Sequence, residues 1–202
     1  MNKVLDCVII GAGFGGVGMA ITLLARGVKN LVLLEQSASA GGCWRQNHYP
    51  GAACDVPSHL YSYSFEPNPD WSRKFAPAQE IRAYIERCAS RYGVLPLCRF
   101  NTVVTTASFD ETSQVWVVET AVGERYLART LVCATGQLSK PAYPLINGLQ
   151  SFTGTQFHSA EWPAGLALEG RRVGVIGTGA SAIQFIPELA RSAARLVIFQ
   201  RS

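Results

Sequence analysis

Gly11-Ala12-Gly13-Phe14-Gly15-Gly16 is the stretch on which the fold turns. Before it runs an apolar segment, Val4 to Ile10, that reads as a buried parallel strand. After it, Gly15 to Arg26 reads as a helix, with Gly27 placed to end it. A GxGxxG hexad is weak by itself. Between a strand and a helix it becomes a dinucleotide fingerprint, because each glycine then has a task. Gly11 permits the tight turn, Gly13 lets the backbone approach a pyrophosphate, and Gly16 lets helix and strand pack closely. The helix start at Phe14 and Gly15 offers N–H groups and partial positive charge to phosphate. The next strand, Asn30 to Leu34, ends in Glu35, nineteen residues after Gly16. A carboxylate there accepts hydrogen bonds from ribose hydroxyls, as with NAD or FAD.

A second hexad, Gly177-Thr178-Gly179-Ala180-Ser181-Ala182, follows Arg172 to Ile176 and precedes another helix-like stretch. Ala182 in the last place is compatible with the pattern. The strand after it ends in Gln200-Arg201-Ser202. Arg201 suits the 2′-phosphate of NADP, and Ser202 could add a hydroxyl donor. The other reading of this turn, a helix start in an unrelated α/β unit, stays open because only half a unit is present. The two hexads together imply one FAD site and one NADPH site on one chain.

Between them, residues 41 to 70 are rich in Gly, Pro, Tyr, Asn and Ser with little periodicity, the mark of a functional loop. Pro77 to Tyr92 reads as a helix with Ile81, Tyr84, Ile85 and Cys88 on one face and Gly93 as its stop. Strands are expected at 100–109 and 114–120 around the turn Asp110-Glu111-Thr112-Ser113. A shorter one, about 125–129, leads into Leu131 to Ala134, and Pro141, Pro144, Asn147 and Gly148 mark a linker. The fold class is therefore α/β. A Rossmann-like FAD-binding domain, a parallel sheet with a β-meander insertion, takes residues 1–150. A linker takes 151–170, and the first βαβ of a Rossmann-like NADPH domain takes 171–202. One strand, one helix and one strand cannot close a core, so the expectation is a truncated chain or a second chain that supplies the rest.

The chain has 202 residues, 48% of them hydrophobic, which suffices for a packed core and excludes disorder. The net charge of +4 comes from scattered Lys and Arg, with no basic run to suggest a nucleic-acid surface. Arg171-Arg172, the densest pair, reads as a solvated turn. The six cysteines include no CxxC pair and no metal-like spacing, so no metal is expected. Cys7 and Cys133 lie in apolar strand patterns as small core fillers, and a reducing, cytoplasmic setting suits them. Met1-Asn2-Lys3 before an apolar stretch faintly mimics a signal peptide, but Asp6 and the glycines spoil it. No 18-residue apolar span exists, so no membrane partner is expected.

Phe152-Thr153-Gly154-Thr155-Gln156-Phe157-His158-Ser159-Ala160-Glu161-Trp162-Pro163 lies between the two hexads. It resembles the FxGxxxHxxxW fingerprint of Baeyer–Villiger monooxygenases, carried by Phe152, Gly154, His158 and Trp162. Related N- and S-oxygenating flavin monooxygenases usually carry Tyr or Phe where Trp162 stands. Spacing alone would read His158 as a loop histidine satisfied by backbone partners. Gly41-Gly42-Cys43-Trp44, Tyr49-Pro50-Gly51 and Cys54-Asp55 are similar to that family's flavin-contacting segment. Cys133-Ala134-Thr135-Gly136 is similar to the turn that closes its flavin domain.

The resemblance implies that Gly42, Cys43, Trp44, Arg45, Gln46, Cys54, Tyr61 and Gly136 lie at FAD, with a backbone contact from Val104 on the adenine side. Arg45 and Gln46 stand where some members carry aromatics. Asp55 is implied beside flavin and nicotinamide, orienting an arginine that the family supplies from beyond residue 202. On its own pattern Asp55 reads as a turn carboxylate binding its own backbone, and only the resemblance turns the reading to function. Tyr63 reads as a packing aromatic, and Tyr49 as either packing or site. The reaction implied is NADPH- and O2-dependent oxygen insertion into ketones, giving esters or lactones. Heteroatom oxygenation is the alternative, as is a non-catalytic FAD-binding fragment or one subunit of a split enzyme. A disulfide reductase would need a second cysteine five residues after Cys43; position 48 is His.

Overall fold

Leu5–Ile10 (β1) and Leu31–Leu34 (β2) are apolar without alternation because both become interior parallel strands. Val8, Ile9 and Leu33 have no exposed surface at all. The computed structural model describes residues 4–200; Arg201 and Ser202, expected at a 2′-phosphate, lie outside the described residues. Phe14–Ala25 (α1) joins the two strands and packs on both. It ends as expected at Gly27, whose φ of 85° lets its N–H reach the Leu24 carbonyl while Val28 reaches Leu23. The expected helix at 77–92 runs Ala78–Arg91, after a one-turn helix at Cys43–Gln46; these are α3 and α2. Ile81, Tyr84, Ile85 and Cys88, the face read from the sequence, are all fully buried.

Cys98–Arg99 (β3), Val104–Asp110 (β4), Val115–Thr120 (β5) and Arg125–Cys133 (β6) complete a six-stranded sheet in the order β3-β2-β1-β6-β5-β4. The first four in that order are parallel, and β6, β5 and β4 form an antiparallel meander. Val8, Val32, Leu34, Val118 and Ala128 form one buried cluster that ties the parallel and meander halves together. Each larger side chain there contributes on the order of 1.5–3 kcal/mol through lost water contact.

Three expectations need correction. The strand expected from residue 100 starts at Val104, because Asn101 turns the chain at φ 55° while Thr102 N–H donates to the Glu35 carbonyl. The interrupted strand expected at 125–134 is one continuous β6, held by β5 on one half and β1 on the other. Cys7 is a core filler, but Cys133 is exposed at the carboxyl end of β6, where the strand leaves the covered part of the sheet.

The chain divides into two units. The first holds Met1–Arg45, Tyr63–Glu66 and Ile81–Ser139, which include the whole six-stranded sheet. The second holds Gln46–Ser62, Pro67–Glu80 and Lys140–Ser202. Its regular part is Arg172–Ile176 (β7), Ala180–Ala190 (α4) and Arg195–Phe199 (β8), with β7 and β8 paired in parallel. Val175, Ala182, Phe185 and Leu189 are buried, while Ile176, Ile198 and Phe199 remain about half exposed. Around this βαβ the long loop is knitted by Ser58. Its buried hydroxyl donates to the Lys74 carbonyl and accepts from Ala76 N–H, and its own N–H also donates to Lys74.

Candidate functional site

In the first unit the glycine turn is closed so tightly that side chains are excluded. A methyl on Gly11, at φ 101°, would lie 2.5 Å from the Ala134 carbonyl oxygen, and one on Gly16 would overlap the Gly11 carbonyl oxygen. Gly13 faces Gly42: a methyl on Gly42 would come within 2.9 Å of the Gly13 Cα. Gly15 makes only an ordinary contact with Ala134. Gly13 is also the N-cap of α1, and no side chain caps the helix there. A tight backbone cradle at an uncapped helix N-terminus fits a pyrophosphate, which needs close approach and N–H donors.

Glu35, 5% exposed, braces this cradle. Its Oε2 accepts the Ala12 N–H at 2.8 Å and its Oε1 the Ser37 N–H at 2.8 Å. Each carboxylate oxygen retains one further lone pair, so two ribose hydroxyls can still be accepted. The burial of Cys98, and after it the Glu35 charge, push the Cys98 thiol up to about 11. Phe14 carries the rest of the support. Its ring meets Tyr63 edge-on at 5.3 Å and stacks on Tyr84 at 5.9 Å. The Tyr63 hydroxyl donates to the Phe14 carbonyl, and its ring leaves no room for a side chain on Gly18. Tyr63 is thus the packing aromatic expected. Tyr84 donates to the Glu66 carbonyl and accepts the Tyr63 N–H; burial foremost pushes its pKa up to about 12.

Gly41 N–H donates to the Ala12 carbonyl and so brings the 41–45 segment to the cradle. Cys43 is exposed, Trp44 and Arg45 are half-buried, and Arg45 Nε donates to Ser39 Oγ at 3.0 Å. Val104 starts β4 with its side chain packed against the sheet's buried cluster. Gly136 follows β6 in an exposed turn at φ 68°.

In the second unit the glycine turn is open. Gly177 has φ 102°, yet added methyls on Gly177 and Gly179 would meet nothing within 4 Å. Gly179 is the uncapped N-cap of α4; Thr178 and Ala180 are exposed, Ser181 is half-buried and Ala182 is buried. The loop expected at the flavin lies partly in this unit. Gln46, half-buried, offers its carbonyl to His48 Nδ1 at 2.8 Å. Tyr49 is 8% exposed, meets Phe185 edge-on and donates its hydroxyl to Gln184. Cys54 is buried with its N–H on the Ala76 carbonyl, Asp55 beside it is exposed, and Tyr61 is half-buried with its N–H on the Ser58 carbonyl.

The fingerprint residues divide by role. Trp162 is 8% exposed, packed on Phe157 and Phe185, and its carbonyl lies 2.7 Å from His48 Nε2. His158 caps a short 3-10 turn, its Nδ1 accepting Ala160 N–H while its own N–H donates to the Tyr143 hydroxyl. Phe152 is 61% exposed, and its ring folds over Gly154, where a side chain would collide with it. Two participants carried no sequence signal of their own: His48 on Trp162, and Gln184, a polar residue inside the apolar run of α4. Among the described residues no cluster of His, Cys, Asp or Glu could hold a metal ion, and all six cysteines are free.

A family profile described as "Pyridine nucleotide-disulphide oxidoreductase" matches residues 8–202. A Baeyer-Villiger monooxygenase of Pseudomonas aeruginosa is 48% identical over 194 residues, covering 96% of this chain and 37% of that protein. An oxidized steroid monooxygenase bound to NADP superposes with a TM-score of 0.90 at 43% identity, over 99% of this chain and 39% of that one. OTEMO in complex with FAD and NADP superposes at 0.92 and 39% identity, over 100% of this chain and 40% of that one. The chain thus spans about two-fifths of the length of the relatives it matches. It belongs to the pyridine nucleotide-disulphide oxidoreductase family, and its similarity is to a part of the Baeyer-Villiger monooxygenase of Pseudomonas aeruginosa.

Proposed function

We propose that the whole protein is an FAD-dependent monooxygenase that uses NADPH and O2 to insert oxygen into ketones, and that this chain carries its cofactor-binding part. Residues 1–150 bind FAD, 171–202 begin the NADPH-binding part, and 151–170 link the two. The observation that carries the reading is the first cradle: Gly11 and Gly16, which backbone contacts forbid to become alanine, at an uncapped helix start, with a buried carboxylate beside it. Support comes from a solved relative of the same fold described with FAD and NADP.

Bound FAD would supply the two-electron chemistry between NADPH and O2. The residues do the rest. Gly11, Gly13 and Gly16 let N–H groups of the α1 start reach its pyrophosphate. Glu35 orients the adenosine ribose with its two remaining lone pairs. Gly177, Gly179 and the α4 start hold the second pyrophosphate, and Asp55 orients a cation at the reaction centre.

The test is to purify the full-length protein, record its visible spectrum, add NADPH without air, then admit O2 with a ketone or a thioether. A flavin spectrum that bleaches with NADPH and an ester or lactone from the ketone are expected. A colourless protein that takes up no FAD would overturn the reading, and a sulfoxide as sole product would move it to heteroatom oxygenation.

A further inference from the structure

We propose that Gln184 on α4 is a positioning residue: its amide clamps the backbone at Ala53 and so sets where Asp55 stands. The role given to Asp55 rests on the function proposed above; the clamp itself does not. Gln184 Oε1 accepts the Tyr49 hydroxyl at 3.0 Å and the Ala53 N–H at 3.2 Å, and its Nε2 donates to the Ala53 carbonyl at 2.9 Å. A primary amide has two donor hydrogens and two acceptor lone pairs, so three of four positions go to one short loop.

Bonds to both the N–H and the C=O of one residue fix its position along the helix and its rotation, as a strand neighbour would. The loop also approaches the backbone of Gln184 closely. Gly51, at φ 76°, sits so near that a methyl there would lie 2.6 Å from the Gln184 carbonyl oxygen. Tyr49 packs its ring on Phe185, the next residue of α4. Only Cys54 separates the clamp from Asp55, and it is buried with its N–H on the Ala76 carbonyl. Asp55 is therefore the first residue past two fixed peptides, which set where its backbone stands. Its sequence neighbours on α4, Ile183, Phe185 and Ile186, are all apolar, so the amide of Gln184 stands out in the helix. A half-buried amide costs stability unless bonded, and here every bond goes to the loop that carries Asp55.

The test compares the full-length protein with its Gln184→Met variant, which keeps length and volume but makes none of the three bonds. The Ala53 amide should exchange its hydrogen at least about tenfold faster, while the Cys54 amide changes less than about twofold. NADP+ affinity should stay within about threefold, since the cradle is backbone, while bleaching of the flavin at saturating NADPH slows about tenfold through misplacement near the chemistry. Unchanged Ala53 exchange or unchanged bleaching overturns the proposal, as does a parallel loss of affinity, bleaching and melting temperature, the signature of damaged packing. If Gln184→Met does not fold, Tyr49→Phe removes one bond and should show the same pattern at about threefold; a silent Tyr49→Phe then overturns it. If the wild type takes up no flavin, the proposed function fails, and the Ala53 exchange alone decides whether the clamp exists.

Discussion

The two glycine turns share a hexad pattern but differ in what their glycines touch. In the first, Gly11 and Gly16 are pressed against backbone oxygens, and the turn is part of a covered six-stranded sheet. In the second, Gly177 and Gly179 face open space, Ala182 replaces the last glycine, and the sheet has two strands with Ile176, Ile198 and Phe199 about half exposed. Glycine is thus demanded by packing in one turn, whereas in the other the structure demands it only through the backbone conformation at Gly177. Sequence identity of a motif does not mean identity of cause.

Mutation separates these causes. Gly16→Ala should cost on the order of 3–5 kcal/mol, because the methyl overlaps backbone that cannot move aside. Gly179→Ala should change stability by less than about 0.5 kcal/mol and instead weaken NADP+ binding. Urea melts paired with nucleotide titrations read both; equal destabilisation by the two would erase the distinction. Next in size, Ile85→Ala should cost about 2–5 kcal/mol, since the side chain is fully buried in the first unit. Ile183→Ala, at a 67% exposed position of α4, should be close to silent. A large effect there would mean that the second unit is covered in solution.

Much of this was legible in the residues. The strand–hexad–helix–strand order, the buried face of α3 and the hairpin at Asp110 follow from periodicity and turn chemistry, which are local. β3 was not legible, because two residues carry no period. The Gln184–Ala53 and His48–Trp162 contacts join residues 131 and 114 apart, and polar contacts at such range leave no trace in spacing. Cys133 misled because an apolar neighbourhood in sequence says nothing of where a strand leaves its sheet. The position of Glu35 after β2 points to a ribose acceptor, whereas its bonds from the Ala12 and Ser37 N–H groups are revealed only by the folded loop.

Those two backbone bonds give a smaller prediction. Glu35→Gln should cost about 1–3 kcal/mol, because the amide must set an N–H donor against a backbone N–H. It should also weaken FAD binding, as an equilibrium titration by flavin fluorescence would show. Smaller still is an alkaline effect confined to the first unit. The Tyr84 pKa is raised from 10 to about 12, so the folded state holds its proton more tightly than the unfolded one. Its contribution is complete below pH 10 and is lost as pH rises towards 12. Melts across that range should fall less steeply in Tyr84→Phe; identical slopes would remove the tyrosine from the account.

The most direct measurement is an experimental structure of the full-length protein with FAD bound. The expected result is the pyrophosphate over Gly11–Gly16, with both adenosine ribose hydroxyls within about 2.5–3.0 Å of the Glu35 oxygens. A flavin nucleotide bound elsewhere, or a ribose that leaves Glu35 to its two backbone partners alone, would contradict it.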